Sequence, residues 1–310
     1  MTHAPVMTEE LLHGLAPLGP AARVVDGTFG RGGHARAVLS LLGSEGRVVG
    51  LDWDEEAVQA GLALARADTR FKIVRAAFGD LLATLQRELN DAAPQVDAVL
   101  LDLGVSSPQL DSSARGFSFL HDGPLDMRMD QRAERTAALL VNTASDTEIA
   151  DVLFNYGDER FSRRIARAIV AARATEPFAT TLQLATVVAA AHPRWPRHQH
   201  PATRTFQALR IWVNDEGGQL SSVLGQLRDV IRIGGRALVI SFHSGEDRQV
   251  KHAFQGAPTT RDPRIARLPT SGHSTRSWQP VGGAQRASSD EVASNPRARS
   301  AVLRIAERVA

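Results

Sequence analysis

Cysteine is absent from the 310 residues. Disulfides, thiolate zinc sites and cysteine nucleophiles are therefore excluded. Lysine is nearly absent as well: only Lys72 and Lys251 occur, so the basic charge is carried by arginine, as arginine codons in a GC-rich genome would favour. No run of about 18 apolar residues is present, which excludes a transmembrane helix. The segment Met1-Thr2-His3-Ala4-Pro5 has neither a basic stretch nor an apolar one, so no export signal is expected and a cytoplasmic enzyme is the simplest reading. What the chain does have is apolar content: 43% hydrophobic residues over this length support a large core and about two domains.

The formal charge of +2 is small, but it is unevenly spread. Nine arginines face three acids between positions 157 and 210, and nine face four between 255 and 310, whereas the N-terminal part is near neutral or acidic. Basic charge concentrated in particular segments suits an anionic macromolecule such as RNA.

The organising stretch is Val24-Val25-Asp26-Gly27-Thr28-Phe29-Gly30-Arg31-Gly32-Gly33-His34. A short apolar strand ends in an acid, a glycine-rich loop follows, and residues 35–42 read as a helix. That is a nucleotide-binding corner. Gly30 to Ala35 matches the dinucleotide pattern G-x-G-x-x-A, but Asp26 argues against a pyrophosphate, which a carboxylate repels. Asp26 instead suits the amine and sulfonium of S-adenosylmethionine. The next strand ends in Asp52, twenty residues after Gly32, where an acid serves ribose hydroxyls. Capping of its own loop is the alternative role for Asp26.

Further strands are predicted at 70–76, 96–102, 236–242 and 299–307, with helices at 55–67 and 81–89. Val96-Asp97-Ala98-Val99-Leu100-Leu101-Asp102 is nearly all apolar, as a buried parallel strand should be. Alternating strands and helices give a doubly wound α/β sheet whose ligands sit beyond the carboxyl ends of the strands. Asp26, Asp52, Phe78 and Asp102 all fall on that edge. From 111 to about 200 the pattern becomes helical. A helix over 158–175 would carry Arg160, Arg163, Arg164 and Arg167 on one face, either a solvated stripe or a phosphate-tracking surface. The acids of the loop 122–130 fit no trusted metal-ligand spacing, and no metal is expected. Residues 255–294, rich in Pro, Gly, Ser, Thr and Arg, read as a long loop or a partly disordered segment.

These segments, together with Leu101 to Asp111, Arg115-Gly116-Phe117-Ser118-Phe119, Asp122 to Asp130, His200 to Ile211, Ser241-Phe242-His243-Ser244 and Asn295 to Ser300, resemble the RsmH (MraW) family nearly end to end. Members of that family methylate N4 of a cytidine in the decoding region of small-subunit (16S) ribosomal RNA. The resemblance implies a Rossmann-like methyltransferase sheet, doubly wound with its last strand antiparallel, formed by residues 1–110 and 201–310. It implies an inserted helical substrate-recognition domain at 111–200. It further implies S-adenosylmethionine contacts at Gly32, Gly33, His34, Asp52, Phe78, Asp102 and Gln109, an assembled small subunit as the expected form of the RNA partner, and a homodimer. Trp53 and Gly245 depart from the family's usual residues, and 255–290 matches poorly.

Cytosine N4 is a weak nucleophile because its lone pair is delocalised, so an acceptor for its hydrogens is needed. Asp102, Ser106 and Ser107 are the candidates, with cofactor binding as the alternative role for Asp102. Without cysteine, attack at C5 through a thiolate adduct is unavailable. Arg204 and Arg210 are candidate phosphate contacts, Phe206 and Trp212 candidate stacking rings, and His243 either a base-edge reader or a histidine satisfied at a strand end. The rival readings are an NAD-dependent oxidoreductase and a non-catalytic RNA-binding protein on the same fold.

Overall fold

The computed structural model describes residues 5–193, 200–255 and 277–310. They fall into two compact units, one made of Met1–Gly104 with Gly217–Ala310, the other of Val105–Glu216.

The first unit is built on one sheet. Its strands are β1 (Arg23–Asp26), β2 (Arg47–Asp52), β3 (Phe71–Arg75), β4 (Val96–Asp102), β5 (Ile231–Ser241), β6 (Trp278–Pro280), β7 (Gln285–Arg286) and β8 (Val302–Arg308). The order is β3-β2-β1-β4-β5-β8-β6, with β7 also paired to β8. Strands β1 to β5 are parallel, and β8 runs antiparallel to β5. This is the doubly wound sheet with a late antiparallel strand that the sequence led us to expect. Alternate residues enter opposite cores: Val24, Ala98 and Leu100 face one, and Val25, Val99 and Leu101 the other. Both faces are thus covered, which is why these strands read as unbroken apolar runs. Each fully buried leucine contributes roughly 1.5–3 kcal/mol.

In chain order the helices are α1 (Thr8–Leu15), α2 (Gly33–Leu41), α3 (Glu55–Ala67) and α4 (Leu81–Leu89), all of the sheet unit. Next come α5 (Ser107–Asp111), α6 (Ala137–Thr143), α7 (Asp146–Gly157), α8 (Ser162–Arg173), α9 (Thr181–Ala191) and α10 (Thr203–Val213), which form the helical unit. The chain then returns to the sheet through α11 (Glu216–Val230), α12 (Ser244–Gln255) and α13 (Ser289–Ser294). Helix α3 is capped by the Asp54 carboxylate, which accepts from the Glu56 N–H at 3.0 Å.

Four local differences from the sequence reading have physical causes. Strand β5 starts at Ile231 rather than after a Gly234-Gly235 turn; Val96 pairs with Ile231 and Ala98 with Arg236, so the glycines lie in a bulge. The helix expected over 158–175 is broken: Asp158 takes a left-handed conformation (φ 49°) and the Glu159 carboxylate, buried, accepts from the Phe161 N–H at 2.8 Å before α8 begins. Helix α10 begins at Thr203 and packs on α7, so the helical unit runs to Glu216 rather than ending near 200. Residues 277–294 hold two short strands and a helix, not a loop; the rest of that expected loop, 256–276, lies outside the described residues.

Candidate active site

Strands β2, β1 and β4 lie side by side and parallel, so their carboxyl ends bring Asp52, Asp26 and Asp102 to one edge. The glycine loop is sewn across them. The Gly27 N–H donates to the Leu100 carbonyl of β4 at 2.8 Å, and the Phe29 N–H to the Leu51 carbonyl of β2 at 3.0 Å. A Cβ on Gly27 would stand 2.6 Å from a Leu101 methyl, so a larger residue there would require Leu101 to shift. Gly32 has φ +73°, which L side chains rarely adopt, and it turns the chain into α2. Thr28, unremarked in the sequence reading, accepts from the Asp102 N–H at 2.6 Å and ties the loop to the end of β4.

Asp26 is 1% exposed. One carboxylate oxygen accepts from the Thr28 N–H at 3.2 Å; the other, Oδ2, is buried with no hydrogen-bond partner. Burial pushes its pKa up to about 6. Asp52 is likewise pushed up to about 6 by burial, against the opposing pull of the backbone N–H groups of Asp54 and Gly30. Those bonds are 2.9 and 2.8 Å long, one to each oxygen. With a further backbone bond from Trp53, Asp52 keeps acceptor capacity for about one ligand hydroxyl.

His34 sits in the first turn of α2, buried, with Nε2 3.3 Å from Asp102 Oδ2. Burial, the largest single influence, pulls the imidazole pKa down; the hydrogen bond and charge of Asp102 outweigh it, and the net shift is upward. The second Asp102 oxygen, Oδ1, is buried and has no partner. Phe78 opens a 3₁₀ turn after β3 and its Cβ approaches Gly27. That turn is pinned by α11: the Gly79 N–H donates to Gln219 Oε1 at 3.0 Å, and Ser222 Oγ donates to the Gly79 carbonyl at 2.8 Å. Nothing local in the sequence pointed to Gln219. His243 follows β5, with Nε2 3.2 Å from Glu246 Oε1, while the buried Glu246 also accepts from the Phe242 N–H at 2.8 Å. His243 Nδ1 accepts from the Glu246 N–H at 3.4 Å, its Nε2 is buried without a hydrogen-bond partner, and its side chain is 23% exposed.

The remaining expected residues belong to the helical unit. The Ser106 N–H donates to Gln109 Oε1 at 2.9 Å across the start of α5. Ser107 is the first residue of α5, and its side chain lies outside the described part. Arg204 is exposed and donates to the Asp158 carbonyl at 2.8 Å. Phe206 is 4% exposed, its ring edge-on to Phe119 at 4.8 Å, so it offers no free face to a base. Arg210 is held fork-to-fork by Glu216, two bonds of 2.7 Å, which leaves it poorly placed for a phosphate. Trp212 is half-buried under the Arg135 guanidinium, 4.4 Å from the ring centroid. In the loop 122–130, Asp126 is taken by Arg128 and Asp130 by Arg132.

Two buried carboxylate oxygens without partners, Asp26 Oδ2 and Asp102 Oδ1, suit a ligand that brings positive charge. They do not suit a pyrophosphate. This edge, on a sheet of this order, defines a Rossmann-like S-adenosylmethionine-dependent methyltransferase. The chain belongs to the MraW methylase family, whose model matches residues 1–309. It is 50% identical to the ribosomal RNA small subunit methyltransferase H of Methylobacillus flagellatus over 316 residues, covering 99% of this chain and 95% of that one. It is 47% identical to the protein of the same name from Nitrosococcus oceani over 308 residues (99% and 97%). To that of Acinetobacter baylyi it is 45% identical over 309 residues, both chains being covered completely.

Proposed function

We propose that this chain methylates small-subunit ribosomal RNA, at N4 of a cytidine in the decoding region, in the cytoplasm, with the helical unit as the part that recognises the substrate and the assembled subunit as its natural form. The relatives' names, on chains matched over 93–100% of their length, support the RNA class. The observation that carries the N4 assignment is Asp102: a quarter-exposed carboxylate at the cofactor edge, with Oδ2 3.3 Å from His34 Nε2 and Oδ1 buried without a partner.

S-adenosylmethionine, when bound, supplies a methyl already activated by the sulfonium; Gly32, Gly33, Asp26, Asp52 and Phe78 would hold it, and Gln109 is a further expected contact. Asp26 supplies negative charge for the cationic end, and Asp52 accepts from a ribose hydroxyl. What the protein must then do is align an amine and manage its proton. Asp102 Oδ1 accepts a hydrogen bond from the exocyclic amine, which localises the nitrogen lone pair, and takes the proton released as the nitrogen is alkylated. His34 Nε2, 3.3 Å from Oδ2, stands beside the other Asp102 oxygen and stabilises its charge when protonated. Ser106 and Ser107, or their carbonyls, remain the alternative acceptors. The absence of cysteine removes the C5 route.

The test is to incubate the protein with small subunits lacking the modification and labelled S-adenosylmethionine, then digest the RNA and identify the nucleoside. N4-methylated cytidine is the expected product. Label in another nucleoside refutes the N4 assignment, and no label with cofactor shown to bind refutes the substrate.

A further inference from the structure

The helical unit carries a basic corner that the cofactor edge does not use. Helix α7 ends at Gly157, Asp158 reverses the chain, and α8 starts at Ser162. Between 157 and 167 stand Arg160, Arg163, Arg164 and Arg167 against Asp158 and Glu159, and Glu159 is buried. All four arginines are exposed. Among the described residues Arg160, Arg163 and Arg164 make no side-chain hydrogen bond or ion pair, whereas Arg167 donates to the Arg163 carbonyl. The Arg204 guanidinium joins the corner through its bond to the Asp158 carbonyl. On the other side of the same connection the last turns of α7 expose two rings, Phe154 (59%) and Tyr156 (39%).

Helix stability does not explain this composition. The first turn of α8 has no acid and two arginines, although cations are disfavoured at a helix N-terminus. Nor do the rings serve the core, which takes Ile149, Leu153, Ile165 and Ile169 instead. Unpaired guanidinia beside exposed aromatic faces match a chain of phosphates with unstacked bases.

We propose that the α7–α8 corner, through Arg160, Arg163, Arg164 and the ring of Phe154, binds the phosphate backbone and an unstacked base of the substrate RNA. This rests on the ribosomal RNA substrate proposed above and gives it a surface. Such a surface sets affinity and leaves the chemical step untouched, because its contacts are equal in ground and transition states.

The test uses the full-length protein, an unmodified transcript of small-subunit ribosomal RNA for binding, and small subunits for turnover. The triple variant Arg160→Ala, Arg163→Ala, Arg164→Ala should bind the transcript about tenfold or more weakly near physiological salt, with a log–log salt slope shallower by about 2. Its KM for subunits should rise by a similar factor, with kcat and S-adenosylmethionine affinity unchanged. The three-lysine variant should restore most binding, and Phe154→Ala should weaken it about fivefold or more. Affinity and slope equal to wild type in the triple variant overturn the proposal. A second measurement needs no variant: phenylglyoxal modification of the wild type, read by mass spectrometry, should show these three arginines protected by the transcript. Their full reactivity in the RNA complex overturns the proposal, as does protection by anionic vesicles or polyglutamate but not by RNA. Protection by the transcript without methyl transfer to subunits keeps the surface and sinks the methylation reading instead.

Discussion

The two units place charge in opposite ways. The sheet unit buries carboxylate oxygens at one edge: Asp26, itself buried, and Asp102, a quarter exposed, each keep a buried oxygen without a partner. The helical unit exposes arginines at one corner, three of them unpaired among the described residues. Burying charge is expensive unless a partner arrives, so the acids by themselves imply a ligand bearing the opposite sign. Exposed charge is cheap, so an arginine stripe alone implies little. Its meaning comes from pairing: Arg210 is committed to Glu216, while the Arg163 and Arg164 side chains have no partner among the described residues.

The harshest test of the buried side is Asp102→Asn. It keeps shape but loses the proton acceptor, and kcat on small subunits should fall by about 10²–10⁴, with S-adenosylmethionine affinity by calorimetry changed by less than about tenfold. If cofactor binding collapses instead, Asp102 holds the cofactor and one of the serines must be sought as acceptor.

Next comes Asp26→Asn, where function and stability should move in opposite directions. Removing the charge should weaken S-adenosylmethionine about tenfold or more. It should also stabilise the free protein at pH 8. In the folded state the carboxyl is pushed from 3.8 up to about 6 by burial, so the native state binds its proton more tightly than the unfolded chain does. Stability therefore falls as pH rises from about 4 to about 6 and stays lowered above that, by roughly 3 kcal/mol in the limit of full burial. The melting-temperature gain of the variant should be largest at pH 8 and vanish near pH 4. A variant that melts lower at pH 8 would show that Asp26 is already compensated without ligand. By the same titration, cofactor affinity of the wild type should decline as pH falls through about 6, where Asp52 also takes up its proton.

Which parts were readable in advance follows from the same contrast. The sheet edge was legible because its signals are local. Strands covered on both faces are apolar without interruption, a glycine loop follows the first, and each of three strands ends in an acid. The helical unit was less legible because its decisive contacts are long-range. Arg160 seemed to continue a helical stripe, but the chain turns at Asp158 and buries Glu159, so Arg160 lies ahead of α8. Phe206 looked like a stacking ring; it is spent on Phe119, 87 positions earlier in the chain. Gln219 fixes the turn of Phe78 from 140 residues away, and no local pattern announces that. The domain boundary differed for the same reason: 201–216 reads as a return to the sheet, but α10 finds its packing partner in α7.

The smallest effect on RNA is expected at Arg210, and it separates the two kinds of arginine most directly. Its guanidinium and the Glu216 carboxylate are 16% and 10% exposed and joined by two bonds. A pair this enclosed is lost at a price when one partner is removed, because the other is left buried and unmatched. Arg210→Ala should therefore lower stability by about 2 kcal/mol, discounted from the fully buried case for residual exposure. The slope of RNA affinity against salt should stay at the wild-type value, since no phosphate contact has been removed. Replacing both partners, Arg210→Met with Glu216→Leu, should recover most of the lost stability and again leave the slope alone. A slope shallower by about 0.7 in Arg210→Ala would mean that Arg210 leaves Glu216 for a phosphate when RNA binds. The distinction between committed and free arginines in this unit would then fail, and the basic surface would extend along α10.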